Sequence, residues 1–449
     1  MNRIKKLLWL LIMSSILLPI EATNVIKTKV PVRPKGQKDV IELRVAPIKN
    51  VKVAVIGLGN RGVGVVYRLA KIPGCTITAL CDVQQRYVDR AEKYLKDYKA
   101  DTYTGAEDWK KICERKDIDL VYIATNWELH TPIAVYAMQH GKHAVIEVPA
   151  ALTIDECWDL VDTAEKYQRH CMILENCNYD FFELSTLNMA QKGLFGEIVH
   201  CEGAYIHDLR SEIFDHNAYW NDWRLKQNKD HNGNLYPTHG LGPIAHVLSI
   251  HRGDRMKTLV SVSTNQFGLT AFAKEQFGSN SKEANVKYKR GDMNTTIIKT
   301  EKGKTMMIQH DITSPRPYSR HHLISGTKGF AQKWPVENMA FEPEAHEYMN
   351  QQKKDSLLKA YEHPIVKEVG EIAKKVGGHG GMDFIMDYRL IYCLNNGLPL
   401  DIDVYDAAEW SCLVPLTRLS IENENSPVEI PDFTRGAWNK LNKITYYFK

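Results

Sequence analysis

Val51-Lys52-Val53-Ala54-Val55-Ile56-Gly57-Leu58-Gly59-Asn60-Arg61-Gly62 is the stretch on which the fold turns. Val51 to Ile56, apolar but for Lys52, reads as a short strand. It runs straight into a Gly-x-Gly-x-x-Gly turn made by Gly57, Gly59 and Gly62, and a helical stretch follows through about Ile72. Strand, glycine turn and helix in that order cradle a pyrophosphate. Glycine lets the backbone turn tightly and approach the phosphates, and the helix N-terminus stabilises their charge. Outward from this turn, Thr76 to Cys81 is a β-branched, apolar strand ending at Asp82, twenty residues beyond Gly62. An acid there binds both ribose hydroxyls and repels a 2′-phosphate, which favours NAD over NADP.

The same beat continues with a helix over Arg86 to Tyr98, a strand over Leu120 to Ala124, a helix from about Thr131 to His140 and a strand over His143 to Ile146. Alternating strands and helices predict an α/β fold whose N-terminal part is a doubly wound parallel sheet of the Rossmann type. Ligands in such sheets bind at the carboxyl ends of the strands. Two of those ends carry polar groups, Thr125-Asn126-Trp127-Glu128-Leu129-His130 and Glu147-Val148-Pro149.

The chain has 449 residues, enough for two or three domains, with 44% hydrophobic and 25% charged residues. That composition excludes a disordered chain, a collagen-like rod and a small disulfide scaffold. The net charge of +4, from 58 basic and 54 acidic residues, is too small an excess for a nucleic-acid partner. Nine cysteines without a paired Cys-x-x-Cys spacing argue against zinc or a redox motif, and no metal is expected. Arg3, Lys5 and Lys6 precede an uncharged run from Leu7 to Ile20, the layout of a secretory signal over residues 1–23. The protein is therefore expected to be exported, to the periplasm or beyond, with no stable membrane span once the signal is removed. Residues 24–49, with Pro31, Pro34 and Pro47 and no periodicity, read as a tether. The Rossmann domain then occupies 50–172 and a second, substrate-binding domain 173–449.

The glycine turn, the Asp82 strand, the Trp127 to His130 loop and Glu147-x-Pro149 together resemble the glucose-fructose oxidoreductase and inositol dehydrogenase superfamily. Its dehydrogenases usually carry Glu-Lys-Pro in the third motif, with the lysine in the active site. Val148 stands there in this chain, and valine can neither donate a proton nor hydrogen-bond a sugar hydroxyl. A second departure lies at Tyr236-Pro237-Thr238-His239-Gly240-Leu241-Gly242-Pro243, where Gly240, Gly242 and Pro243 read as an irregular turn before a helix over Ile244 to His251. These departures resemble the NAD-dependent glycosidases of glycoside hydrolase family 109, the α-N-acetylgalactosaminidases. The likeness extends through Asn176-Cys177-Asn178-Tyr179, Asn221-Asp222-Trp223-Arg224, Ser314-Pro315-Arg316-Pro317-Tyr318, Gly377 to Asp383 and Asp406-Ala407-Ala408-Glu409-Trp410.

The resemblance implies that the second domain is α+β, on an open, mainly antiparallel sheet. It implies NAD contacts at Asn60, Arg61, Asp82, Trp127 to His130, Glu147, Val148 and Asn176. It implies sugar contacts at Tyr205, Arg224, Tyr236, Pro237, Thr238, His239 and Tyr318, with a glycan or glycoside as partner. A homodimer through the open face of the second sheet is a habit of that superfamily. The implied chemistry is oxidation of the sugar at C3, loss of the acidified C2 proton with departure of the aglycone from C1, water addition and return of the hydride, with retention. His239 is the expected base on the C3 hydroxyl, since imidazole titrates near neutral pH. Tyr179, Tyr236 and Tyr318 are candidates for moving the C2 proton or polarising the ketone, and spacing does not rank them. A cofactor that regenerates itself also suits an exported enzyme, because free nicotinamide cofactor is scarce outside the cytoplasm. The alternative is an NAD-dependent sugar dehydrogenase, which would release NADH.

Overall fold

A computed structural model describes residues 25–96 and 98–448. The expected signal segment lies outside the described residues. The first sheet has six strands, all parallel, in the order β3-β2-β1-β4-β5-β6. These are β1 (Val51–Ile56), β2 (Cys75–Cys81), β3 (Asp101–Tyr103), β4 (Leu120–Ile123), β5 (His143–Ile146) and β6 (Cys171–Ile173). The helices between them are α1 (Asn60–Leu69), α2 (Gln85–Glu92), α3 (Asp108–Glu114), α4 (His130–Gln139) and α5 (Ile154–Tyr167). Strands β4, β5 and β6 are buried at every residue, as a parallel sheet covered on both faces requires. The expected second helix is shorter than its sequence suggested, ending at Glu92 rather than Tyr98.

The glycine turn is fixed by sterics. Gly57 has φ 88°, and a Cβ there would lie 2.4 Å from the carbonyl oxygen of Ala124 at the end of β4. A Cβ on Gly62 would lie 1.8 Å from the Gly57 oxygen, so only glycine lets α1 start this close to β1. Gly59 faces open space.

The second part of the chain carries helices α6 (Phe181–Gln191), α7 (Arg210–Ile213), α8 (Trp223–Asp230), α9 (Thr238–Val247), α10 (Gly268–Phe277), α11 (Gln351–Ala360), α12 (Pro364–Val376), α13 (Met382–Asn396) and α14 (Val404–Glu422). Its sheet has eight strands in the order β13-β12-β11-β7-β10-β9-β8-β14, antiparallel except for the β7–β10 pair. They are β7 (Ile198–Ile206), β8 (Met256–Ser263), β9 (Asn294–Thr300), β10 (Thr305–Asp311), β11 (Leu323–Gly326), β12 (Gly329–Gln332), β13 (Asn338–Phe341) and β14 (Val428–Glu429). Residues alternate buried and exposed along β8 and β9, leaving Val260, Val262 and Ile297 on an open face. The helices cover the other face. A continuous apolar core then joins the two sheets, with α14 against α5 and β6, and α13 against α1 and β1.

Residues 25–49 form no helix, and their one sheet-like contact is a bridge from Ile26 to Val428. They are seated rather than loose. Arg33 pairs with the buried Glu165 at 2.8 Å, and Val40 is buried with its N–H donating to the Tyr405 hydroxyl. All nine cysteines are free thiols, eight of them buried.

Candidate active site

The carboxyl ends of β1, β2, β4, β5 and β6 face the helical side of the second sheet across a cavity of about 890 Å³. That size is enough to hold a ligand almost entirely. On the Rossmann side, Gly57, Gly59 and Asn60 line it, and no side chain caps the start of α1. The open side of Gly59 and the uncapped helix N-terminus together leave the room and the N–H donors that a pyrophosphate needs. Asp82 lines the same end. Its carboxylate also braces the turn, accepting the N–H of Leu58 at 2.7 Å and that of Gln84 at 2.8 Å. Burial raises its pKa, and those two N–H groups oppose the rise.

Arg61 and Glu147 also face the cavity, but they face each other first. Arg61 Nε donates to Glu147 at 2.6 Å and its Nη1 donates to Asp383 at 2.8 Å. Asp383, in the first turn of α13, also accepts from Asn176 at 2.5 Å and sits 2.9 Å from His379 Nδ1. Burial alone would raise the Asp383 carboxyl, but Arg61 and its cationic neighbours hold it well below the usual range. The Arg61 side chain thus ties α13 to the glycine turn through Nε and Nη1. His130 has both ring nitrogens against carbonyl oxygens, Pro149 at 2.7 Å and Thr125 at 3.1 Å, which ties the ends of β4 and β5 together. Trp127, Glu128, Leu129 and Val148 line the wall.

The opposite wall is aromatic and polar. Tyr205 projects from β7, with Tyr236 at 4.8 Å and His239 at 5.2 Å between ring centroids. Tyr236 meets His239 edge-on at 4.9 Å. Arg224, from α8, lies 5.1 Å over the Tyr236 ring and 5.6 Å over Trp127. Its Nη1 donates to the Tyr219 hydroxyl at 2.9 Å, whereas its buried Nε and Nη2 have no partner among the described residues. A buried guanidinium with unsatisfied donors is costly, so this one is poised for acceptor oxygens of a ligand. Burial pushes the Tyr205 phenol up to about 12 and the Tyr236 phenol well above its ordinary value. His239 is oriented from behind, its Nδ1 2.7 Å from an oxygen of the fully buried Glu175.

A sequence profile described as "Oxidoreductase family, NAD-binding Rossmann fold" matches residues 51–175, and one described as "Glycosyl hydrolase 109, C-terminal domain" matches residues 179–440. The chain belongs to glycosyl hydrolase family 109. It is a glycoside hydrolase built on an NAD-binding Rossmann domain. It is similar to "Glycosyl hydrolase family 109 protein 1" of Bacteroides fragilis strain YCH46, 53% identical over 441 residues, 94% of each chain. It is also similar to "Alpha-N-acetylgalactosaminidase" of Bacteroides fragilis strain ATCC 25285, 54% identical over 413 residues, 91% of this chain and 97% of that one. Among solved structures, levoglucosan dehydrogenase in complex with NADH and levoglucosan shares the fold at a TM-score of 0.66 and 18% identity, covering 85% of this chain and 100% of that one.

Within this family 109 protein, five expected site residues stand outside the cavity lining, Gly62 among them because it packs the start of α1 onto the Gly57 carbonyl. Tyr179 is fully buried and its hydroxyl donates to Asp401 at 3.3 Å, because the short helix Asn176–Tyr179 turns its ring into the core beside Tyr446. It cannot reach a sugar. Pro237 and Thr238 are buried at the start of α9, which begins at Thr238 instead of after Pro243. The irregular turn expected there is helix, and its glycines serve packing. A Cβ on Gly240 would lie 2.2 Å from the backbone of Ala204 in β7. Tyr318 stays close, 37% exposed, packing edge-on against Tyr205 and His207 at the rim. Two residues that matter had no expected role, Glu175 and Asp383.

Proposed function

We propose that this enzyme removes terminal α-linked N-acetylgalactosamine from glycans or glycosides by an NAD-dependent route, with retention of configuration. The observation that carries the reading is the make-up of the wall facing the nucleotide cradle. It presents an imidazole, phenols and an unsatisfied guanidinium, whereas Glu147 and Asp383 are committed to Arg61. The two-carboxylate plan of ordinary glycosidases is not needed with that wall, although Glu128, which accepts from Gln227, and Glu212 also line the cavity. The relative named alpha-N-acetylgalactosaminidase supports the sugar.

The cradle fits the cofactor, with Gly59 and the start of α1 for the pyrophosphate, Asp82 for the ribose and Trp127 to Leu129, Val148 and Asn176 along its length. The carboxylate of Asp82 selects NAD over NADP. Bound NAD supplies a reversible hydride acceptor for C3, and the C3 ketone acidifies the C2 hydrogen. His239 takes the proton of the C3 hydroxyl and returns it at the end. Tyr236, whose ring lies beside the Arg224 cation, exchanges the C2 proton, and Arg224 offers its free N–H groups to the acetamido or ring oxygens. Val148 keeps the wall apolar where a dehydrogenase would place a lysine. The enzyme acts after export, in line with the basic flank and apolar run at its N-terminus.

Incubation with an aryl α-N-acetylgalactosaminide, with aglycone release and nicotinamide absorbance followed together, tests this reading. The expected result is aglycone release with no net NADH. Stoichiometric NADH would mean a dehydrogenase instead.

A further inference from the structure

Glu175 follows β6 by two residues and is completely buried. Among the described residues its one ion-pair partner is His239, at 2.7 Å. The same oxygen accepts the N–H of Cys177 at 3.1 Å, and the Thr238 hydroxyl also faces the carboxylate. A carboxylate in that setting costs several kcal/mol unless a cation or strong donor faces it. The room it occupies is built into the partner helix. Gly242 lies one turn beyond His239 in α9, and a Cβ there would come within 2.8 Å of Glu175 Cγ. The imidazole is further clamped edge-on by Tyr205 and Tyr236. Its Nε2 bonds to no described residue, and the ring lines the cavity.

We propose that Glu175 is a positioning residue for His239, its carboxylate holding the Nδ1–H so that the Nε2 lone pair faces the sugar. An ionised carboxylate only accepts, so the neutral imidazole in contact with it must carry its proton on Nδ1. That leaves Nε2 free to form the new N–H bond as the O–H bond at C3 breaks, while the freed oxygen pair forms the carbonyl π bond and the C3–H bond breaks with its hydride passing to a nicotinamide acceptor. The imidazolium so formed lies against the carboxylate, which favours it, and the proton goes back to oxygen when the C3–H bond is restored. Burial would raise the Glu175 carboxyl, yet the adjacent imidazole holds it below its ordinary range, consistent with an ionised acceptor. The inference rests on the proposed role of His239 as the base at C3.

The test compares Glu175→Gln, His239→Ala and the double variant, together with imidazole nitrogen NMR of the wild type, in which the His239 signals are those missing from His239→Ala. The expected spectrum shows the neutral ring protonated on Nδ1 and bare on Nε2. Glu175→Gln should lower kcat by roughly 10²- to 10⁴-fold with KM within a few-fold, and the double variant should be no slower than His239→Ala alone. A wild-type ring protonated on Nε2 overturns the proposal, as do losses that multiply in the double variant. If Glu175→Gln does not fold, Glu175→Asp, which keeps the charge, takes its place and should keep the Nδ1–H tautomer. An active His239→Ala would reject the base assignment, while the wild-type spectrum still decides whether Glu175 sets the tautomer.

Discussion

At the nucleotide end of the cavity the cradle comes largely from one run of chain, Val51 to Asp82, whereas the sugar end draws Glu175 from after β6, Tyr205 from β7, Arg224 from α8 and His239 from α9. The first end is a backbone device. Gly57 and Gly62 are dictated by contacts under 2.5 Å, and Asp82 braces the turn through the Leu58 N–H. The second is a side-chain device, in which rings from separate elements hold one another at 4.8 to 5.2 Å and a guanidinium is left with unsatisfied donors. The lesson is that cofactor and sugar binding should fail separately when either end is altered.

The largest effect should come from His239→Ala, which should cut turnover by roughly 10²- to 10⁴-fold while the purified protein keeps its NAD, as read by release of cofactor on denaturation. Loss of NAD together with activity would show that the two ends are not separable. Gly62→Ala should do the reverse. A methyl 1.8 Å from the Gly57 oxygen forces α1 away from β1, so cofactor content should fall and stability should drop by about 1 to 3 kcal/mol or more in thermal unfolding. Asp82→Ala should weaken NAD by about 1.5 to 3 kcal/mol in titration, through loss of charge-assisted hydrogen bonds. Arg224→Met should raise KM for the glycoside yet leave the melting temperature equal or higher, because it removes a buried cation with two unpaired N–H groups. The smallest effect should be that of Tyr179→Phe, which gives up only a core hydrogen bond to Asp401, with kcat and KM unchanged and stability lower by about 1 kcal/mol.

Stability against pH should also report on the cores of the two domains. Burial pushes His170, in the first domain, and His246, beneath the sugar wall, down to about 3. The unfolded chain then binds protons that the folded chain refuses, so stability present above pH 6.5 is lost as pH falls toward 3. His251 has the opposite sign. Burial opposes its charge, but Glu409 more than offsets that and raises it to about 9, so its contribution is complete below pH 6.5 and fades as pH climbs through 9. Melting temperatures across that range should show a plateau with a fall on each side.

The contrast between the two ends also explains what could be read from sequence. The glycine turn was legible because its constraint is local, residue against residue within one strand, turn and helix. The parallel sheet followed from the beat of strands and helices, and the second sheet came through family resemblance. Glu175 was not legible, since its partner lies 64 positions away, although an acid just past the carboxyl end of a parallel strand, as at Asp82 and Glu147, was the available signal. Tyr179 was misplaced because sequence spacing does not give side-chain direction in a single 3₁₀ turn. The helix from Thr238 was missed because glycine and proline suggest a break, while here the glycines permit close approach to β7. Asp383 lay inside a recognised motif, but its pairing with Arg61 spans 322 positions and depends on α13 packing against α1.

One measurement bears most directly on the claim that a glycosidase here uses the nucleotide cradle in its chemistry. Hydrolysis of an α-N-acetylgalactosaminide is run in deuterated water, and the sugar product is examined by NMR and mass spectrometry. The account predicts deuterium at C2 in product of retained configuration, with no net change in NAD. Product with hydrogen at C2 would contradict it, leaving the fold intact and the cofactor without a part in the reaction.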